Sequence, residues 1–286
     1  MQKQFQLGSN VWPAGKRAAV MFTFDFDVES LQTSGFVGPQ IIFADRSRGE
    51  YSPYEGLARC LSMLERQAIK GTFFVPGYVM ERYPQQTLSI VKAGHELACH
   101  GYAHNDFHKP IPVEEERDNM ARAEALIKTY ANKMPVGYRA AGGFMQPYMV
   151  DLLAERGYLY SSANTPLKCC DWTYAYEKDG IKLPLVEFAT DVMLDDFPYF
   201  SMILSAPAHH NPCNNDTVLE IWKEEFDGRA EEGNKFMVLK LHPAIIGRAS
   251  RIRMLETLVD HMQESGAWIA TCEEVARYVL AQNGLL

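Results

Sequence analysis

Residues 96–104, ELACHGYAH, open on a short apolar run and close on two histidines four positions apart. The run predicts a strand, and the spacing lets one helical turn or a tight loop aim both imidazoles at a single cation. Two further runs end the same way: AAVMFTF (18–24) leads to Asp25 and Asp27, and FMVLKL (236–241) leads to His242. Three strand ends carrying polar side chains toward one place predict a site there. Two imidazoles hold a metal poorly, but a carboxylate from TFDFD completes a two-nitrogen, one-oxygen face with positions left for water and substrate. Such a set points to a metal-dependent hydrolase.

Outward from these motifs, short apolar runs alternate with stretches of helical period, the pattern of a mainly parallel sheet with helices packed outside it. Helices are predicted over 53–67, where Leu57, Leu61 and Leu64 share a face, and over 84–93, 113–130, 148–156, 216–232, 254–264 and 272–280. TCEE (271–274) has the form of a helix start, with Thr as cap and Glu three residues on. Strands are predicted at TFFV (72–75), 137–141, 158–161 and 183–188, and loops at 29–52 and 171–179.

The chain has 286 residues, ordinary for one α/β barrel, and a single catalytic domain over 1–286 is expected. A net charge of −8 without a Lys/Arg cluster argues against nucleic acid or an anionic membrane as partner. No run reaches the roughly 18 apolar residues of a membrane span, and the first residues carry no apolar stretch, so a cytoplasmic protein is expected. The six cysteines show no CxxC spacing, which favours free thiols, with the neighbours Cys169 and Cys170 incidental. His95 is read as packing beside a strand, and His108, His209 and His210 as loop residues, the last two able to rim a pocket. Phe197, Tyr199, Phe200 and Trp172 suit either a ring-stacking wall or core packing.

In this order the motifs resemble those of the polysaccharide deacetylase (NodB-homology) family over nearly the whole chain. TFDFD is similar to the family's Thr-Phe-Asp-Asp strand end, with the carboxylates one residue further apart, as in the branch of peptidoglycan deacetylases and cyclic imide hydrolases. GTFFVPG and AGHELACHGYAH follow the family's wording closely. RAAGG keeps the arginine of an Arg-x-Pro motif but has Ala141 in place of proline. LDDFPYF resembles the fourth region and LKLHP the last. The resemblance implies a deformed (β/α) barrel of about seven strands, often assembled as homo-oligomers. It implies Asp27, His100 and His104 as metal ligands and Asp25 as the general base. His242 is implied as general acid, oriented by Asp195 or Asp196, with Arg139 holding Asp25.

A divalent ion on such ligands acidifies water and polarises a carbonyl, and zinc is the preferred ion, with Co2+, Ni2+ or Mn2+ as substitutes. An oxyanion would find a backbone N–H near Ala141–Gly142. The expected reaction is hydrolysis of a non-peptide C–N bond, foremost deacetylation of an N-acetylated amino sugar in a polysaccharide, oligosaccharide or peptidoglycan fragment. Opening of a cyclic imide or ureide ring is the alternative. A catalytically inactive carbohydrate-binding relative is the remote one, and the presence of Asp25 and His242 speaks against it, since binding alone needs neither a base nor an acid.

Overall fold

A computed structural model of the chain describes residues 2–8, 12–30, 43–104, 111–163, 171–201 and 213–286. The described residues form ten strands: β1 (Gln2–Gln6), β2 (Ala18–Asp25), β3 (Thr72–Val75), β4 (Glu96–Cys99), β5 (Gly137–Tyr138), β6 (Tyr160–Ser161), β7 (Tyr174–Lys178), β8 (Ile181–Glu187), β9 (Lys235–Leu241) and β10 (Ala267–Ile269). The arc β9-β2-β3-β4-β5-β6-β8 is parallel throughout, and its seven strands form a deformed (β/α) barrel, as expected. The arc's two edges approach each other where Asp195, beyond β8, makes a single parallel bridge to Lys240 of β9.

β2 shows why these runs form this sheet. Every residue in it is buried. Ala18, Val20, Phe22 and Phe24 face one way, into a core shared with the helical residues Leu64, Val79, Ile127 and Leu258. Ala19 and Met21 face the other way, into the barrel interior with Phe74, Ala98, Phe236 and Val238. Strands covered on both faces are apolar on both, which is why these runs do not alternate with polar residues. Gly137 is required by close approach, because a Cβ there would lie 1.9 Å from the Tyr160 ring.

One end of the barrel is plugged. The helix Cys272–Gln282 begins with the predicted capping box at Thr271 and Glu274. Its first amides are bonded by the sheet: Cys272 N–H donates to Thr72 Oγ1 at 2.9 Å and Glu273 N–H to Glu96 Oε2 at 3.0 Å. Thr72 and Glu96 start their strands, so the plug sits at the N-terminal ends and leaves the C-terminal ends to build a site.

Two sequence readings are corrected. The stretch 171–179 was expected as loop, but it contains β7, paired antiparallel with β8 through Lys178↔Ile181 and with β1 on its far side. The turn is Asp179-Gly180, with φ of 51° and 83°, the left-handed pair that tight hairpins prefer. Helix was expected from 53 and loop before it, yet helix runs through Phe43–Tyr51, a π segment at Ser52–Gly56, and Leu57–Arg66. FADRSRGEY is too polar to show a 3.6-residue apolar period, so periodicity could not find it.

Candidate active site at the C-terminal strand ends

Strand alternation carries the inward face of the barrel directly into the site. Ala19, Met21, Thr23 and Asp25 share one side of β2. Phe236, Val238, Lys240 and, one step past the strand, His242 share one side of β9. Ala98 is followed in the same sense by His100. All these polar residues are buried.

Asp27 arrives differently. β2 ends at Asp25, so simple alternation does not place Asp27; a turn does. Ser30 donates to the Asp27 carbonyl through both N–H (2.9 Å) and Oγ (2.5 Å), while Val28 sits at φ 54°, a left-handed conformation that β-branched residues rarely adopt. Glu29 anchors the turn, accepting from Tyr83 Oη at 2.9 Å and pairing with Arg82 at 2.5 Å. His104 is placed by a loop rather than a helical turn, with φ 47° at His104 itself and 68° at Gly101. Gly77 and Tyr78 N–H groups pin that loop through the carbonyls of Gly101 (3.0 Å) and Tyr102 (2.8 Å). Although on a loop, His100 and His104 are only 1% and 3% exposed.

Asp27, His100 and His104 converge. His100 Nε2 lies 3.4 Å from Asp27 Oδ1, and His104 Nε2 lies 3.8 Å from Asp27 Oδ2. His100 Nδ1–H donates to the Arg139 carbonyl at 2.7 Å, which fixes the tautomer and turns the Nε2 lone pair toward Asp27. Asp27 Oδ1, His100 Nε2 and His104 Nδ1 are buried with no hydrogen-bond partner among the described residues. Buried polar atoms without partners are rare, and a cation is what would satisfy an imidazole nitrogen and a carboxylate oxygen together. Charge agrees: Asp25, Asp27, Asp195 and Asp196 are buried beside Arg139, Lys240 and His242, so the carboxylates outnumber the cationic side chains even with His242 protonated. The residues present therefore fit a divalent metal.

Asp25 sits beside this group with a different set of partners. Arg139 Nη1 reaches its Oδ1 at 2.6 Å, and both residues are buried. The guanidinium is itself held by Ser162 Oγ, which accepts from Nη2 at 2.8 Å, and by the Phe74 ring 4.0 Å below it. Burial would raise the Asp25 carboxyl, but Arg139, His100, Lys240 and His242 outweigh burial and keep it below its ordinary range. Asp27 is likewise held low, against burial, by His104 and His100. His104 is pushed down to about 4 by burial, which leaves its ring neutral.

His242 has the opposite environment. Asp196 Oδ1 is 2.6 Å from its Nδ1, and Asp196 Oδ2 accepts its backbone N–H at 2.9 Å. Its Nε2 looks toward the carboxylates, 3.9 Å from Asp25 and 4.0 Å from Asp27. Burial opposes the charged ring, but Asp196 and Asp195 outweigh it and raise His242 to about 9. Between Asp195 and Asp196, which the sequence left open, the geometry places Asp196 on the imidazole. Asp195 lies 3.8 Å from Nδ1 and instead pairs with Lys240 at 3.0 Å while capping Phe197 N–H at 2.8 Å.

Sequence reasoning missed Lys240 and Ser162. Lys240 had a signal, the lone charged residue of the apolar run 236–241, at the inward position two before His242. Ser162 had none. The RAAGG loop forms a tight turn over Ala141–Gly143, with Gly142 and Gly143 both left-handed at 64° and 83°, so glycines shape the place where a proline was expected. The Gly143 N–H is taken by the Ala140 carbonyl at 2.8 Å. Beside the imidazoles a cleft of about 60 Å³ is lined by His100, His104, Glu116, Asn119, Phe144 and Gln146.

Other expectations sort simply. His95 packs against the Phe73 ring at 5.4 Å. Phe197 stands edge-on to His242 at 5.7 Å, whereas Phe200 is buried and Tyr199 packs on Trp222. Trp172 lies beneath Lys235. Cys60, Cys99, Cys213 and Cys272 are free thiols. His108, His209, His210, Cys169 and Cys170 lie outside the described residues. No helix among the described residues is long and apolar enough to cross a membrane.

Residues 50–161 match the family model for polysaccharide deacetylase. A peptidoglycan deacetylase-like protein of Gibberella zeae is 26% identical over 302 residues, covering 93% of this chain and 88% of its own length. The peptidoglycan deacetylase of Helicobacter pylori is 26% identical over 264 residues, covering 84% and 88%. A crystal structure from Mycobacterium smegmatis described as a polysaccharide deacetylase is 30% identical, with a TM-score of 0.85 over 98% of this chain and 96% of that one. An allantoinase structure at 23% identity superposes with a TM-score of 0.78 over 96% and 95%.

Proposed function

Because this chain belongs to the polysaccharide deacetylase family, as the 30% identity over nearly both full chains shows, we propose that it is a metal-dependent hydrolase removing acetyl groups from an N-acetylated amino sugar of a polysaccharide, oligosaccharide or peptidoglycan fragment. Residues 1–286 would act as one catalytic unit. The observation that carries this reading is the set of orphaned buried atoms on Asp27, His100 and His104, flanked by an Arg-held carboxylate and a carboxylate-held imidazole.

Asp27, His100 and His104 would hold the metal, with Zn2+ preferred for two imidazoles and one carboxylate; the bound ion would polarise the substrate carbonyl and acidify water. Asp25 takes the proton of the attacking water, and it suits this role because Arg139 keeps it ionised and leaves its Oδ2 facing the site. Arg139 donates to Asp25 Oδ1 only, so one oxygen is anchored and the other is kept for the proton. The Ala141–Gly142 backbone is the proposed N–H source for the developing oxyanion. His242, protonated through Asp196, gives its Nε2 proton to the departing nitrogen, which is too basic to leave as an anion. Its Nε2 lies within 4.0 Å of both catalytic-side carboxylates, so base and acid work across one small space.

A second reading is opening of a cyclic imide or ureide ring, and the cleft supports it. A volume of about 60 Å³ corresponds to roughly two water molecules, the size of an acetamido group or the edge of a small ring. Glu116, Asn119 and Gln146 offer hydrogen-bonding side chains along it. Purified protein loaded with Zn2+ and assayed on acetylated chitooligosaccharides, peptidoglycan fragments and cyclic imides separates the two. Acetate release supports the first reading, ring opening alone supports the second, and a chain that neither binds metal nor turns over any of them overturns both.

A further inference from the structure

The pair Lys240–Asp195 lies at the seam where the barrel's two edges meet. Asp195 follows β8 by several residues, Lys240 belongs to β9, and their backbone bridge is the point where the arc closes above the plug. Both side chains are buried, and the ammonium is 3.0 Å from Asp195 Oδ2. Burial alone would discharge the lysine, but Asp195 and Asp25 outweigh it and keep it charged. Two carboxylates thus compete for one imidazole: Asp196 at 2.6 Å from His242 Nδ1 and Asp195 at 3.8 Å. The loser is the one already taken by Lys240.

We propose that Lys240 is a positioning residue: by engaging Asp195 it keeps that carboxylate off the imidazole, so that Asp196 alone sets the orientation of His242. Rings steered by one carboxylate have a single orientation, whereas a ring shared between two has a choice. Asp195 also caps the short helix Asp196–Phe200 through Phe197 N–H, so Lys240 holds the base of the very turn that presents Asp196. The same ammonium adds positive potential beside Asp25. The three neighbours Asp195, Asp196 and His242 lie close enough to hold a metal, but their cation is already present as Lys240.

This inference rests on His242 being the general acid, and its test separates the two. Lys240→Met, Asp195→Asn and the double variant are compared with the unaltered protein, all loaded with Zn2+, on the best substrate of the panel above. Asparagine keeps an oxygen for the Phe197 cap, and the double variant carries no unpaired buried charge, so it remains interpretable should Lys240→Met fail to fold. Lys240→Met is expected to lower kcat by roughly ten- to a hundredfold with KM within twofold and metal stoichiometry intact. Lys240→Arg, which preserves the pair, should recover most of the loss. The double variant should exceed Lys240→Met by at least about fivefold and match Asp195→Asn within about threefold, since removing Asp195 removes the competitor that Lys240 restrains. Unchanged kcat in folded Lys240→Met, or a double variant more than about tenfold less active than Asp195→Asn, overturns the proposal. An inactive unaltered protein, or a His242→Ala variant as active as it, overturns the functional reading instead.

Discussion

Asp27, His100 and His104 form one acidic–histidine cluster and Asp195, Asp196 and His242 another. In each, the candidate ligand atoms lie within 4.8 Å of one another, and every member is buried. By residue type either could hold a cation. The difference is in the accounts of their polar atoms. The first cluster leaves Asp27 Oδ1, His100 Nε2 and His104 Nδ1 without partners. In the second, Asp196 is bonded by the ring and backbone of His242, while Asp195 is bonded by Lys240 and the Phe197 amide. Neighbouring carboxylates and imidazoles therefore separate into the proposed metal site and the proposed acid–base site by which atoms remain unsatisfied, not by which residues are present.

The largest effect should come from breaking the first cluster. Asp27→Asn, His100→Ala and His104→Ala are each expected to reduce bound metal to near background in elemental analysis and to abolish turnover. Because these histidines are buried, their loss should also cost about 1–3 kcal/mol of stability. His242→Ala and Asp196→Asn should keep stoichiometric metal. Metal loss from the second set equal to that from the first would erase the distinction between the clusters.

Asp25→Asn tests the boundary between them, because Asp25 lies next to the metal group but is tied to Arg139. The amide cannot accept the proton of water, so kcat should fall by about 10²–10⁴-fold while metal is retained. Should Asp25→Asn lose metal as Asp27→Asn does, the division of labour within TFDFD has been misread.

His242→Ala should show a dependence on the leaving group. Turnover of acetamides ought to drop by about 10²-fold or more, and that of activated esters far less, since a phenolate departs without a proton. The variant's pH–rate profile should also lose its basic limb. Equal losses on both substrate types would assign His242 to positioning.

The smallest effect is a contrast in pH dependence of stability, measured on metal-free protein by denaturant unfolding. His104 is lowered to about 4 from an unfolded value near 6.5, so between these pH values the unfolded chain binds more protons. Its contribution is present above pH 6.5 and is lost as pH falls toward 4. His242 is raised to about 9, so its contribution is present below pH 6.5 and is lost as pH rises through 9. Each should amount to a few kcal/mol at most. His104→Gln should flatten the acid side only and His242→Gln the basic side only; a shared change would show that the two histidines do not occupy opposed environments.

The apolar runs at 18–24, 72–75, 96–99 and 236–241 were legible as buried parallel strands, because a strand covered on both faces must be apolar on both. With three of them came the site's raw material, since 18–24, 96–99 and 236–241 lead into the aspartate or histidine that alternation then turns inward. Less was legible where the determinant was not apolar periodicity. The hairpin at Asp179-Gly180 was written in turn chemistry rather than in a hydrophobic pattern, and the helix Phe43–Tyr51 is polar along most of its length. Tertiary structure alone decided the partners. Arg139 meets Asp25 across 114 residues and Asp196 meets His242 across 46. Lys240 could be noticed in the sequence as a misplaced charge, but its restraint on Asp195 exists only where β9 closes against the end of β8. Local rules act over a few residues, whereas hydrogen bonds act over about 3 Å of space, and only the closed barrel converts one distance into the other.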